Sequence, residues 1–196
     1  MGMTRTLKPK KCRVCKRTFT PHRSMAVVCS VPCSLEYARK VAEQKASRAK
    51  RDERKSLREA LEKAKTRGAH LRELQAAFNA WVRARDAGHP CISCGRHHKG
   101  QLHAGHYRSI GSEPALRFEP DNCHLQCAPC NTHLSGNLIP YRANLIKKIG
   151  LARVEWLEGN HAPKKLTVAE IKELKAYYRA KVREMKKAMN NELEVA

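Results

Sequence analysis

Residues 91–137 read CISCGRHHKGQLHAGHYRSIGSEPALRFEPDNCHLQCAPCNTHLSGN, and their reading decides how the chain is organised. Two Cys-x-x-Cys knuckles, Cys91/Cys94 and Cys127/Cys130, offer four thiolates in two tight turns, which is what a tetrahedral structural zinc ion demands. Between and just after them lie His106, Asn122 and Asn131. Residues 101–107 can form a strand, residues 115–118 a returning strand, and residues 129 onward a helix, giving a ββα unit clamped by zinc at its base. A histidine ending the first strand and an asparagine opening the helix then face each other across a cleft that suits one divalent cation, Mg2+ or Mn2+. Such an ion would bind a nonbridging phosphate oxygen and stabilise a leaving 3′ oxygen while a neutral imidazole takes the proton from water. Histidine suits that task because its ordinary pKa lies near neutrality. Spacing and chemistry thus point to a metal-dependent nuclease.

Upstream, Cys12-x2-Cys15 and Cys29-x3-Cys33 form a second quartet with Phe19 and Pro21 in the gap, as in a treble-clef or ribbon zinc finger. About 30 residues cannot build a core, so metal replaces it. Four cysteines fill the tetrahedron and leave His22 out. Residues 1–8 read as a short basic frayed end, and residues 34–37 open a helical pattern directly after Cys33. From residue 38 to about 67 the chain lacks Gly and Pro and is rich in strong helix formers, with too few apolar positions to bury a stripe. This is an exposed basic connector held by local pairs such as Glu59/Lys63, either solvated or lying along a phosphate backbone. Gly68 interrupts it. Leu71, Leu74, Phe78, Trp81 and Val82 then mark an amphipathic helix over residues 70–85 that packs on the central module, with Trp81 in the core. Residues 86–90 stop it.

Downstream, residues 138–150 and 151–158 read as two helices and residues 159–163 as a loop. Thr167 with Glu170 is a capping-box signal for a last helix. Its Ile171, Leu174, Tyr178, Val182, Met185 and Met189 suit core packing or a dimer seam. The expected organisation is a finger over residues 1–37, a connector over 38–68, a nuclease module over 69–150 and a helical region over 151–196. The fold class is α+β, mainly helical.

Charge narrows the partners. Among 196 residues, 40 Lys and Arg against 18 Asp and Glu leave a net charge of +22, which attracts a polyanion at long range, nucleic acid before an acidic membrane. Aromatic residues are only 5% of the chain, which favours small metal-stapled modules over one large core. No apolar run is long enough to span a bilayer and no secretory pattern opens the chain, so a cytoplasmic location is expected. In a reducing compartment clustered cysteines more often bind metal than pair as disulfides, giving two structural Zn2+ sites. The ninth cysteine, Cys123, reads as a plain buried thiol.

The strings AGH (residues 104–106), LRFEPDNCHLQCAPCN (116–131) and GN (136–137) resemble the HNH, or ββα-metal, endonucleases in their four-cysteine form. CRVCKRTFTP (12–21), ALRFEPDN (115–122), YRANLIKKIG (141–150) and VEWLEG (154–159) resemble the phage NinG family, also called Rap, over nearly the whole chain. That resemblance implies a recombination endonuclease cutting branched DNA such as Holliday junctions and D-loops, in the host cytoplasm. By the same resemblance His106 is the general base, Asn131 a metal ligand, and Asn122 the residue that orients the loop and the base. One position departs from the pattern. Many HNH enzymes carry an Asp or His immediately before the base to bind metal, and this chain has Gly105. His103, His124, His133 and Asp121 are candidates to complete the shell, with His103 favoured.

His97 and His98 read as solvated residues or phosphate contacts, and Arg108 and Arg117 as candidates to grip the scissile strand. The rival class is a noncatalytic zinc-finger protein that binds branched DNA or structured RNA. The DNA-binding form would use the same fold only to hold a junction and differs in not cutting, while RNA binding explains the charge but not the placement of His106, Asn122 and Asn131. A homodimer would suit paired cuts.

Overall fold

The computed structural model describes residues 7–195, with side chains to residue 191. The expected frayed end lies outside the described residues up to residue 6. The chain divides into two compact units, with the boundary between Ala64 and Lys65.

In the first unit, strands β1 (Lys10–Lys11) and β2 (Thr18–Phe19) form a minimal antiparallel pair. Helix α1 (Val31–Ala64) follows and, at about 1.5 Å rise per residue, extends roughly 50 Å. It begins three residues earlier than the sequence pattern suggests. Ser30 Oγ accepts the Cys33 N–H at 3.5 Å, and Pro32 is tolerated in a first turn whose N–H groups lack helical partners anyway. Cys33 is therefore a helical residue. No residue of α1 is buried. Its flank is laced by i,i+4 pairs, Glu36–Lys40 at 2.6 Å and Arg39–Glu43 at 3.9 Å among them.

The second unit is built on helix α2 (Arg67–Arg85). The break before it falls at Thr66, whose side chain accepts the Ala69 N–H at 3.2 Å, rather than at Gly68, which sits inside the first turn. A capping side chain satisfies an orphan donor, whereas a glycine in a first turn costs little. Leu74, Phe78 and Val82 are fully buried and pack with Ile171 and Tyr178 of helix α5 (Val168–Val195). Phe78 gathers Trp81, Phe118 and Tyr178 within 5.8 Å, so Trp81 is part of this core's edge. The capping box at α5 forms as expected: Glu170 accepts the Thr167 N–H at 2.7 Å and Thr167 Oγ1 accepts the Glu170 N–H at 3.3 Å. Farther along α5, Met189 is exposed.

Strands β3 (Leu102–His106) and β4 (Cys123–Cys127) pair antiparallel, with His103 opposite Gln126, Gly105 opposite His124 and His106 opposite Cys123. The returning strand is thus β4 and not residues 115–118. Pro114 and Pro120 each start a 3-10 turn, Pro114–Leu116 and Pro120–Asn122, which fits their fixed φ and missing donor. All five residues of β4 are buried, since both faces of the ribbon are covered, and this erases the polar alternation by which a half-buried strand is recognised. After β4 comes a single π turn, Pro129–His133, and then helices α3 (Leu138–Ile149) and α4 (Leu151–Glu158). They enclose a second core of Tyr107, Leu116, Tyr141, Leu145, Val154 and Leu157.

Asp86 ties α2 to β4. Its carboxylate accepts from Arg85 at 2.8 Å, from the Leu125 N–H at 3.0 Å and from Lys148 at 3.3 Å. Burial alone would raise its pKa, but Arg85, Lys148 and the Leu125 N–H together hold it at about 2. No helix among the described residues is long and apolar enough to cross a membrane.

Candidate functional site

Both cysteine quartets assemble. In each, the four Sγ atoms lie within 4.8 Å of one another. A tetrahedral zinc with bonds near 2.3 Å would set its sulfurs about 3.8 Å apart, and Cys94 and Cys127 stand at 4.0 Å, Cys29 and Cys33 at 3.8 Å. Both quartets could therefore hold structural zinc. Around the second, Asn137 Nδ2 lies 3.6 Å from Cys130 Sγ and His98 Nε2 3.2 Å from Cys94 Sγ, contacts of the kind that orient metal ligands. His98 is thereby placed at the thiolates rather than among purely solvated residues. Asn137 begins α3 at φ 43°, preceded by Gly136 at φ 91° and Ser135 at φ 48°; the glycine takes the left-handed backbone without the Cβ penalty.

An open cleft of about 390 Å³ lies beside the second quartet, lined by Gln75 and Asn79 of α2, His106 of β3, and Asn131, Ser135 and Gly136 after β4. His106 turns toward α2, with its ring 6.1 Å from that of Phe78. Its Nε2 is 3.0 Å from the Arg117 carbonyl oxygen, an acceptor only, so Nε2 carries the proton and Nδ1 the lone pair. Nδ1 lies 3.8 Å from Cys123 Sγ. Burial lowers the His106 pKa from its ordinary value, partly opposed by the Arg117 carbonyl, so the imidazole is neutral at physiological pH. Cys123 is fully buried and its thiol is pushed up by burial, which keeps it protonated, in line with a plain buried thiol.

Asn122 is fully buried and saturated. Its Oδ1 accepts the Arg108 N–H at 2.8 Å, and its Nδ2 donates to the carbonyls of Arg108 at 3.0 Å and Leu116 at 3.1 Å. It thus clasps both ends of the segment between β3 and β4 and holds the peptide next to the carbonyl that orients His106. Asn122 is a positioning residue, with no free group to offer a ligand.

Asn131 Nδ2 lies 2.9 Å from His103 Nδ1. The β3 alternation sets His103 and Gly105 on the face opposite His106, so the structure pairs His103 with Asn131 and leaves His106 on the far side of the strand. Of β3, Ala104 and His106 line the cleft, and Asn131 reaches it from the turn after β4. The amide N–H donates to the His103 Nδ1 lone pair, so a divalent cation would take the imidazole by displacing that hydrogen bond.

The other candidates are engaged elsewhere. His124 is buried against Tyr141, whose hydroxyl donates to the Gly105 carbonyl at 3.0 Å, and burial pushes the His124 pKa down to about 3. Asp121 is paired with Arg153 at 2.7 Å. His133 is exposed on the π turn. Arg117 donates to Gln75 at 2.7 Å rather than extending into solvent.

Gln75, Asn79 and Gln126 were not singled out in the sequence. The signal for the first two is a polar i,i+4 pair, bonded at 2.7 Å, inside the apolar stripe of α2. For Gln126 it is a lone amide in an otherwise apolar strand.

The fold and site define a basic protein with two cysteine quartets, the second of which borders a cleft lined by a neutral histidine and by Asn131, itself bonded to His103. The chain belongs to the NinG family: the model for the bacteriophage lambda NinG protein matches residues 4–189. Protein ninG of Escherichia phage 933W is 37% identical over 191 residues, covering 90% of this chain and 94% of that protein. The proteins of the same name from Salmonella phage P22 and Escherichia phage lambda are each 44% identical over 122 residues, covering 62% of this chain and 60% of theirs. No solved structure matches the chain.

Proposed function

We propose that this protein is a metal-dependent DNA endonuclease of the HNH type that cuts branched recombination intermediates such as Holliday junctions and D-loops. The observation that carries the reading is the neutral His106, its Nε2–H fixed on the Arg117 carbonyl and its ring lining a cleft with Asn131.

In this reading the neutral His106 imidazole takes a proton from water as the water oxygen attacks phosphorus and the 3′ oxygen leaves. Asn122 acts through the loop to keep the Arg117 carbonyl in place. His103 and Asn131 would hold a Mg2+ or Mn2+ ion, which supplies charge stabilisation for the departing oxygen. The net charge of +22 favours a nucleic-acid partner. A homodimer would place two such sites on one junction.

The test incubates the zinc-loaded protein with four-way junction, D-loop and linear duplex in Mg2+ or Mn2+, comparing wild type with His106→Ala. Cleavage of the branched substrates is expected from the wild type, with a loss on the order of 10²–10⁴-fold in the variant at equal DNA binding. Because burial depresses the His106 pKa, the rate should hold as pH falls through 6.5 and drop only below it, where the folded imidazole protonates. If both proteins bind every substrate and neither cuts, the chain is a noncatalytic DNA-binding protein and the enzyme reading fails.

A further inference from the structure

Gly105 stands where HNH patterns carry an Asp or His, and its surroundings leave a side chain no room unless Gln126 moves. A Cβ on Gly105 would meet Gln126 Oε1 at 1.7 Å and Asn131 Oδ1 at 2.9 Å. The space an acid would fill is taken by an amide oxygen delivered from the neighbouring strand.

The orientation of that amide is determined. Gln126 is fully buried, and its nitrogen donates to Ser93 Oγ and to the Gly136 carbonyl, both at 2.6 Å. The Gly136 oxygen only accepts, so the nitrogen must face it and Oε1 must face Gly105. Oε1 has no hydrogen-bond partner among the described residues. Folding rarely leaves a buried acceptor unpaired, and the exceptions ask for an explanation such as an ion. The neighbours of this orphan are Asn131 Oδ1 and, through the Asn131 amide, His103 Nδ1 at 2.9 Å.

We propose that Gln126 Oε1 is a ligand to the divalent cation held with His103 and Asn131, replacing the acid absent at position 105. The assignment rests on the nuclease reading for the purpose of the site, but not for its chemistry. The ligand set is one imidazole nitrogen and two amide oxygens, with no carboxylate. Oxygen donors admit Mg2+ and Mn2+, and the nitrogen favours Mn2+. A neutral set leaves the cation its full charge for a phosphate, so the free protein should bind it weakly and binding should tighten with DNA.

The test titrates Mn2+ into the zinc-loaded full chain, following the free-ion signal by electron paramagnetic resonance, with and without a four-way junction. Zinc content and melting temperature are read on every variant. Gln126→Glu puts a carboxylate at the same reach and should tighten Mn2+ binding about tenfold, while Gln126→Met should weaken it by about the same factor. Weaker Mn2+ binding in Gln126→Met at unchanged zinc content and melting temperature separates a ligand from a purely structural amide. The assignment is overturned if Gln126→Glu keeps its zinc and binds Mn2+ no tighter than wild type, or if wild type binds no Mn2+ in either condition. Mn2+ binding with the expected variant order but no cleavage of any DNA would instead overturn the nuclease reading and leave the ligand assignment standing.

Discussion

The two cysteine quartets have similar sulfur geometry and opposite surroundings. In the first, only Cys12 is buried, Cys29 is exposed, and the helix that follows buries nothing. In the second, Cys91, Cys127 and Cys130 are buried in a cluster with Cys94 and Leu102, and His98 and Asn137 approach the thiolates. The same staple thus does two jobs. In the first unit a metal would substitute for a core; in the second it would set the register of groups around it, since Gln126 directly precedes Cys127 and Asn131 directly follows Cys130.

The largest expected effect separates these jobs. Structural zinc contributes on the order of 10 kcal/mol to a small domain, so Cys29→Ser should unfold the first quartet outright. Native mass spectrometry should then find one zinc in place of two, with amide exchange across α2 and α5 unchanged. Cys127→Ser should instead remove protection throughout residues 65–195. Equal damage to both units from either substitution would break the comparison.

A smaller effect tests the polar clamps that set the second unit apart. Asn122→Ala removes three buried hydrogen bonds and strands the Arg108 N–H and two carbonyls, at a cost of about 3 kcal/mol. A lowered denaturant midpoint with both zinc ions retained is the expected outcome. Under the nuclease reading, cleavage should fall as well, because the Arg117 carbonyl loses its neighbour's anchor.

The smallest effect lies on α1. Glu36→Gln removes an exposed pair with Lys40 and should leave the thermal unfolding of α1 unchanged. A clear drop in its melting temperature would mean that the helix depends on more than local pairs.

The sequence by itself determined both quartets, the helices, the α5 capping box and the place of His106, Asn122 and Asn131 around the second staple. These features rest on local spacing: knuckles need two residues between thiols, and an amphipathic helix writes its period into its own residues. The partner of β3 was hidden, because a strand buried on both faces has no alternation to read and the prolines around residues 115–118 do not announce a 3-10 turn. Tertiary structure alone decided that His103 and His106 lie on opposite faces of β3, that Asn122 spends its amide on the loop, and that Gln126 rather than residue 105 presents an oxygen beside Asn131. Each depends on strand register and on what packs over it, and a side chain's free lone pair becomes visible only when every neighbour that could have taken it is in place.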